Sequence, residues 1–347
     1  MKANLLRYSD SNIISTRLDV LEETINYLSF FRSSEFTEEV LLKKHKIRNS
    51  AERSILARHI KEHVSISIDL ANQAFGGKEE LSYLPLYYSC LNLIKTHLLF
   101  MNKRRELNRN LVHGMSYDDK HIRRDFFNEE IYFYKKGAVP LYYRITSGAT
   151  IGRNEKIKIQ LNDIYAKVND ISAEYVLVSS SVPQIIELKG GIKEINGQKY
   201  IELRNHSNHY DKLPRLRVVK SIKQFQLTGT AESYLSKCTI ANQLEIDQFL
   251  ENNVNKYYVR NFFCNACNDF HLYTFVGGKK HVFNEEISIA LAYFHLSNVI
   301  RYNPMHYRKL IDSKYAPLIT SLRKNGYFTF IKSMIGHFHR ENFDVNI

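Results

Sequence analysis

The stretch RNLVHGM, residues 109 to 115, sets an arginine and a histidine four positions apart, ahead of a glycine. On a helix that spacing puts both side chains on one face. A histidine there can take the proton of an RNA 2′-hydroxyl, and an arginine can hold the phosphate through two parallel hydrogen bonds as charge builds in the transition state. His113 is therefore the expected general base and Arg109 the phosphate-holding cation of a metal-independent RNA cleavage, with Asn110 placed to orient either one. A histidine beside a helix-ending glycine can also serve only to meet the last carbonyls of the helix.

Two further helices carry polar groups in apolar surroundings. In SCLNLIKTH, Ser89, Asn92 and Thr96 share a face, with Lys95 and Cys90 beside it. Such a row marks either a buried hydrogen-bond network or a ligand site, and Lys95 and Asn92 are the expected substrate contacts. In FHLSNVIRYNPMHY, Arg301 follows His295, Ser297 and Asn298. A charge left alone in an apolar setting costs several kcal/mol, so Arg301 is expected to pair with a carboxylate or bind an anion.

Metal chemistry has two weaker footholds. Cys264 and Cys267 have the spacing of a zinc ligand pair, with Cys238 and His271 as the only partners in view. Glu187-x-Lys189 at the end of an apolar strand, with Asp170 upstream, is the arrangement of a restriction-type nuclease that holds Mg²⁺ between two carboxylates. Short motifs of this kind recur by chance, and the leading expectation is a protein without a cofactor.

These side chains must be positioned by a chain of 347 residues with a net charge of +13. The excess of cations suits an acidic partner: nucleic acid, a nucleotide or an anionic surface. The start of the chain lacks the apolar stretch of a signal peptide, and no run of apolar residues is long enough to span a membrane, so a cytoplasmic protein is expected. The first third reads as helices. Asn49 and Glu52 form a capping-box pattern that opens a long helix running to Gly76 or Gly77, which can take a left-handed cap. A second helix starts near Ser82 with Pro85 in its first turn, and residues 105 to 113 continue it or form a short helix of their own. The middle third alternates with a period of two, and Asn196-Gly197 supplies a type I′ hairpin turn. AESYLSKCTIANQLEIDQFLENN and NEEISIALAYFHLSNVIRY read as helices, with a short hairpin between them, and the latter ends near Asn303 because Pro304 follows. The expected fold is α+β and mainly helical: residues 1–117 helical, 118–230 a small antiparallel or mixed β insertion, 231–347 helical, in one compact body.

PLYYSCLNLIKTHLLF, the HG that follows it, NDIYAKVNDISAEY and FHLSNVIRYNPMHY resemble, in order and spacing, the YaaC-like family of bacterial proteins. Where that family usually has a tryptophan after the proline, this chain has Met305-His306-Tyr307. The resemblance implies a cytoplasmic bacterial protein and supplies no catalytic residues. The N-terminal helices are also similar to HEPN domains, helical bundles found in RNA-cutting toxins and phage-defence proteins. That likeness implies RNA as the partner, a site that can form across a homodimer, and a setting in phage defence or stress response. HEPN domains place four to six residues between arginine and histidine. Here Arg109 and His113 enclose three, and Arg105 and His113 enclose seven. Three readings follow: a metal-independent endoribonuclease, a non-catalytic subunit that binds nucleic acid or a protein of a defence complex, and the Mg²⁺ nuclease on Asp170, Glu187 and Lys189.

Overall fold

The computed structural model describes residues 11–15, 19–117, 125–147, 151, 156–181, 185–205, 225–228, 233–242, 245, 258–264, 269–275, 284–340 and 342–346. The α-helices are α1 (Val20–Leu28), α2 (Ser34–Lys43), α3 (Ser50–Gly76), α4 (Tyr83–Phe100), α5 (Arg104–Asn108), α6 (Ala138–Ser147), α7 (Leu161–Tyr165), α8 (Ser172–Ser179), α9 (Glu285–Tyr302), α10 (Pro304–Ile311), α11 (Ala316–Ser321) and α12 (Tyr327–His339). The strands are β1 (Ser11–Ser15), β2 (Met115–Tyr117), β3 (Glu130–Phe133), β4 (Ile157–Gln160), β5 (Ile185–Ile195), β6 (Gln198–Asn205), β7 (Phe225–Leu227), β8 (Ser233–Ser236), β9 (Tyr258–Cys264), β10 (Asp269–Phe275) and β11 (Asn342–Asn346). The fold is α+β and mainly helical.

Helix α3 starts where its sequence says. Asn49 Oδ1 accepts a hydrogen bond from Glu52 N at 3.0 Å, covering one of the backbone donors that a helix start leaves open. Only half of a capping box forms, because the Glu52 carboxylate accepts from Asn102 Nδ2 instead of turning back. Leu56, Ala57, Ile60, Val64, Ile68, Ala71 and Ala74 then form a buried stripe at three- and four-residue spacing against α4. The expected left-handed glycine cap is absent: Gly77 has φ −98°, and its N–H closes on the Gln73 carbonyl.

Helix α4 is the centre of the body. It packs on α3, α6, α9 and α12, and only Leu84, Tyr88 and Lys95 along it are not buried. These three positions fall on one narrow stripe of the helix. Cys90 is buried in the core, as expected. Ser89 joins a buried network in which its hydroxyl lies 2.7 Å from that of Ser67 and 2.6 Å from that of Tyr327.

The strands fall into three groups. Strand β1 pairs in parallel with β11, and β2-β3-β4 form a small antiparallel sheet whose buried residues belong to the main core. The third sheet has six antiparallel strands in the order β7-β8-β6-β5-β10-β9. Its hairpin β5–β6 turns at Asn196 (φ +52°) and Gly197 (φ +75°), as the sequence predicts for a type I′ turn. Strands β9 and β10 form the expected hairpin.

The helix expected over AESYLSKCTIANQLEIDQFLENN fails in its first part. Residues 233–236 form β8, because Tyr234 and Leu235 pair with β6 and are buried by that sheet, whereas Glu245 is helical. Apolar neighbours of this kind fit either element, and the long-range ladder decides between them. The remainder of that stretch, apart from 237–242 and 245, lies outside the described residues. Strands therefore continue past residue 231, while α6, α7 and α8 lie between residues 118 and 230.

Candidate functional site

Helix α5 ends too early to stack Arg109 on His113. Arg109 is the residue at which the helix closes (φ −84°, ψ −6°), and Asn110 folds its side chain back, Nδ2 donating to the Glu106 carbonyl at 2.7 Å. The shared helix face is thereby corrected: Arg109 is exposed at the end of α5, while His113 lies in the connection to β2. Asn110 Oδ1 accepts from Gly137 N at 3.1 Å, so Asn110 acts as a brace between two turns. Gly114 (φ +84°) makes the bend into β2.

The bend sets His113 over the ends of other helices. Its ring packs on Phe294 of α9 at 5.4 Å and on Tyr87 of α4 at 6.3 Å between centroids. The Met115 N–H donates to His113 Nδ1 at 3.2 Å. Burial lowers the pKa of His113, and the positive charges of Arg301 and then Lys95 lower it further. Arg109 is not among these charges. Three of the residues singled out from the sequence, His113 in a loop, Lys95 on α4 and Arg301 at the end of α9, thus lie near enough for the two charges to act on the imidazole.

Each cation is held for contact with solvent. Lys95 is half-buried on the stripe that α4 leaves uncovered, and burial lowers its pKa. Arg301 is exposed on the last turn of α9, with Nε donating to the Ser297 carbonyl at 3.1 Å and a terminal nitrogen donating to Asn298 Oδ1 at 3.2 Å. Its guanidinium lies 5.0 Å from the centre of the Tyr302 ring. Among the described residues, neither Lys95 nor Arg301 pairs with a carboxylate. Of the two fates expected for Arg301, the carboxylate pair does not form there.

Asn92 is mostly buried and connects α4 to α3. His63 Nδ1 donates to its Oδ1 at 2.8 Å, and its own Nδ2 donates to the Tyr88 carbonyl. Burial lowers the pKa of His63 despite the Asn92 bond, and the Lys95 and His59 charges add to the fall. His63 went unread in the sequence because only the packing of α3 on α4 places it here. Tyr88, 38% exposed, and Tyr302, 64% exposed, also belong to this face.

A buried carboxylate holds the parts in register. Glu129, fully buried ahead of β3, accepts from His295 Nε2 of α9 at 2.8 Å, from Tyr117 Oη of β2 at 2.9 Å and from His306 Nε2 of α10 at 2.7 Å. Burial alone would raise its pKa, but the two imidazole hydrogen bonds and their charges together outweigh this and bring it down to about 2. The strand that follows His113 is thereby tied to the helix that carries Arg301.

The metal alternatives gain no support from placement. Cys264 ends β9, opposite Asp269 of β10, Cys267 lies outside the described residues, and Cys238 is exposed. Glu187 and Lys189 lie on β5 opposite Tyr273 and His271. Asp170, in a short turn before α8, accepts from the Thr329 hydroxyl of α12. Among the described residues, no three His, Cys, Asp or Glu side chains are grouped to hold a metal ion. Nor is any helix there long and apolar enough to cross a membrane.

A model of the family described as YaaC-like protein matches residues 29–332. No curated protein matches the chain. No solved structure matches it. None of these findings links the N-terminal helices to HEPN domains.

Proposed function

We propose that this chain, which belongs to the YaaC-like family, binds single-stranded RNA through the face formed by His113, Lys95 and Arg301, and does not cut it. The observation that carries the reading is the meeting of two cations without carboxylate partners, among the described residues, at one half-buried imidazole. Phosphates take up such cations, and exposed tyrosines such as Tyr88 and Tyr302 offer faces on which bases stack. The net charge of +13 adds long-range attraction.

Binding is favoured over cleavage by the orientation of His113. Its Nδ1 lone pair is taken by the Met115 N–H, so the neutral ring carries its proton on Nε2. It therefore presents a donor to a phosphate oxygen, not the free lone pair that a general base needs. Arg109, at the end of α5, is left as a peripheral phosphate contact.

The test is fluorescence anisotropy with an end-labelled RNA of ~12 nucleotides, titrated at several salt concentrations. Lys95→Ala and Arg301→Ala should each weaken binding by about 5- to 10-fold and flatten the salt dependence by about one phosphate contact. The RNA should emerge intact. Affinity indifferent to salt, or variants that bind like the parent, would remove the reading. RNA cleavage that persists in EDTA and disappears in His113→Ala would replace it with the endoribonuclease.

A further inference from the structure

A second basic site lies away from that face. The segment between α2 and α3, the C-terminal end of α4 and the end of α12 line a cavity of about 530 Å³ that is open to solvent. His45, Lys46, Arg48, His97, Asn102 and Arg340 are in its wall. We propose that it binds a phosphorylated small molecule of nucleotide size.

Charge comes first. Lys46, Arg48 and Arg340 bring three cations, none of them paired with a carboxylate among the described residues, and Glu52 is the one acidic residue in the wall. The balance of about two positive charges matches the charge of a phosphomonoester near neutral pH, which is about −1.5 to −2. Two of the cations are guanidinium groups, which grip phosphate oxygens in pairs.

The backbone shows how these side chains are presented. Among the described residues five non-glycine positions have left-handed backbone, and three of them stand in this wall: Lys46 (φ +58°), Asn102 (φ +56°) and Arg340 (φ +55°). Each closes a helix, as left-handed residues commonly do: Lys46 follows α2, Asn102 follows α4 and Arg340 ends α12. Three helix ends thereby bring their side chains to one cavity.

The interior supplies a second sign. His97 is fully buried, and its Nδ1 lies 3.1 Å from the Tyr142 hydroxyl, while its Nε2 has no partner. A buried polar atom left open costs about 1–3 kcal/mol, which marks His97 as the unsatisfied group behind this wall. The ring is held by stacking on His337 at 4.6 Å, and His337 donates in turn to Glu286 at 3.1 Å. Glu52 and Asn102, hydrogen-bonded at 3.0 Å, offer an acceptor and a donor to the hydroxyl groups of an attached sugar. The volume lies in the range of small-molecule sites, about 300–1,000 Å³.

The experiment is isothermal titration calorimetry of the full chain with ADP, with pyrophosphate, and with adenosine as the uncharged control. ADP and pyrophosphate should bind with Kd below ~1 mM while adenosine gives no heat, and Arg48→Ala should weaken both by at least ~10-fold. Lys46→Gly removes an amine and also relieves the left-handed backbone, so affinity should fall while the melting temperature holds or rises. That opposite movement separates a lost ligand contact from a damaged fold. The Lys95→Ala/Arg301→Ala double variant should bind ADP like the parent, which keeps this proposal independent of the RNA reading. Absence of heat from both phosphates, binding that survives Arg48→Ala and Lys46→Gly, or binding lost only in the Lys95/Arg301 variant overturns it.

Discussion

Replacing Glu129 by glutamine should cost about 3 kcal/mol of stability. A carboxyl whose pKa goes from 4.5 to about 2 on folding has its ionised form favoured in the fold, at about 1.4 kcal/mol per tenfold. Glutamine keeps the shape but removes the charge, and its amide nitrogen meets one of the three donors that now point at the carboxylate. Loss of one member of a buried charge cluster typically costs 3–5 kcal/mol, in line with the figure from the pKa. The sign for pH follows. The folded pKa lies below the unfolded one, so the contribution is complete above about pH 4.5 and is lost as pH falls towards 2. Urea unfolding of parent and Glu129→Gln across pH 7 to 3 reads both effects. The gap should be widest at pH 7 and shrink below 4.5. A gap under ~1 kcal/mol at pH 7, or one that stays constant into acid, would refute the reasoning. Because Tyr117 lies on the strand that follows His113 and His295 lies on the helix that carries Arg301, RNA affinity should fall in the same variant.

Gly114→Ala should destabilise the protein by about 2 kcal/mol or more in urea, because an added Cβ would meet the Lys136 carbonyl oxygen at 2.4 Å on a backbone with φ +84°; a wild-type midpoint would contradict this. Burial, against the pull of its hydrogen bond to the Phe338 carbonyl and with help from the Arg340 charge, pushes His45 down to about 4, so the unfolded chain takes up a proton that the fold refuses as pH drops from 6.5 towards 4. Stability should therefore decline through that window, and His45→Gln should lessen the decline by up to about 2 kcal/mol at pH 5 in urea titrations; identical pH profiles would dismiss the role.

Much of the frame was legible because it is encoded locally. The cap at Asn49, the Asn196-Gly197 turn and the Pro304 stop each fix a backbone conformation within a few residues, and each is found where the sequence puts it. Cys90 was readable as core from its apolar surroundings. What failed depended on distant partners. β8 is a strand because β6 lies beside it, and α5 stops because Asn110 turns back on its carbonyl and braces Gly137. The site was legible as a set of residue types and not as an arrangement. Lys95, Arg301 and His113 meet, while Arg109, the sequence neighbour first paired with His113, does not join them. His63 and the His97 cavity had no local signal, since each is assembled from helices far apart in the chain.

The pairing of β1 with β11 bears on the order of synthesis. Residues 11–15 leave the ribosome long before their partners, 342–346. Until those partners emerge the early strand has an open edge, and α1 lacks the α12 surface it finally packs against. Helices α3 and α4, close in sequence, can join as soon as both have emerged, well before β1 finds its partner. A ribosome stalled before residue 342 would hold those two helices packed while β1 still shows a bare strand edge.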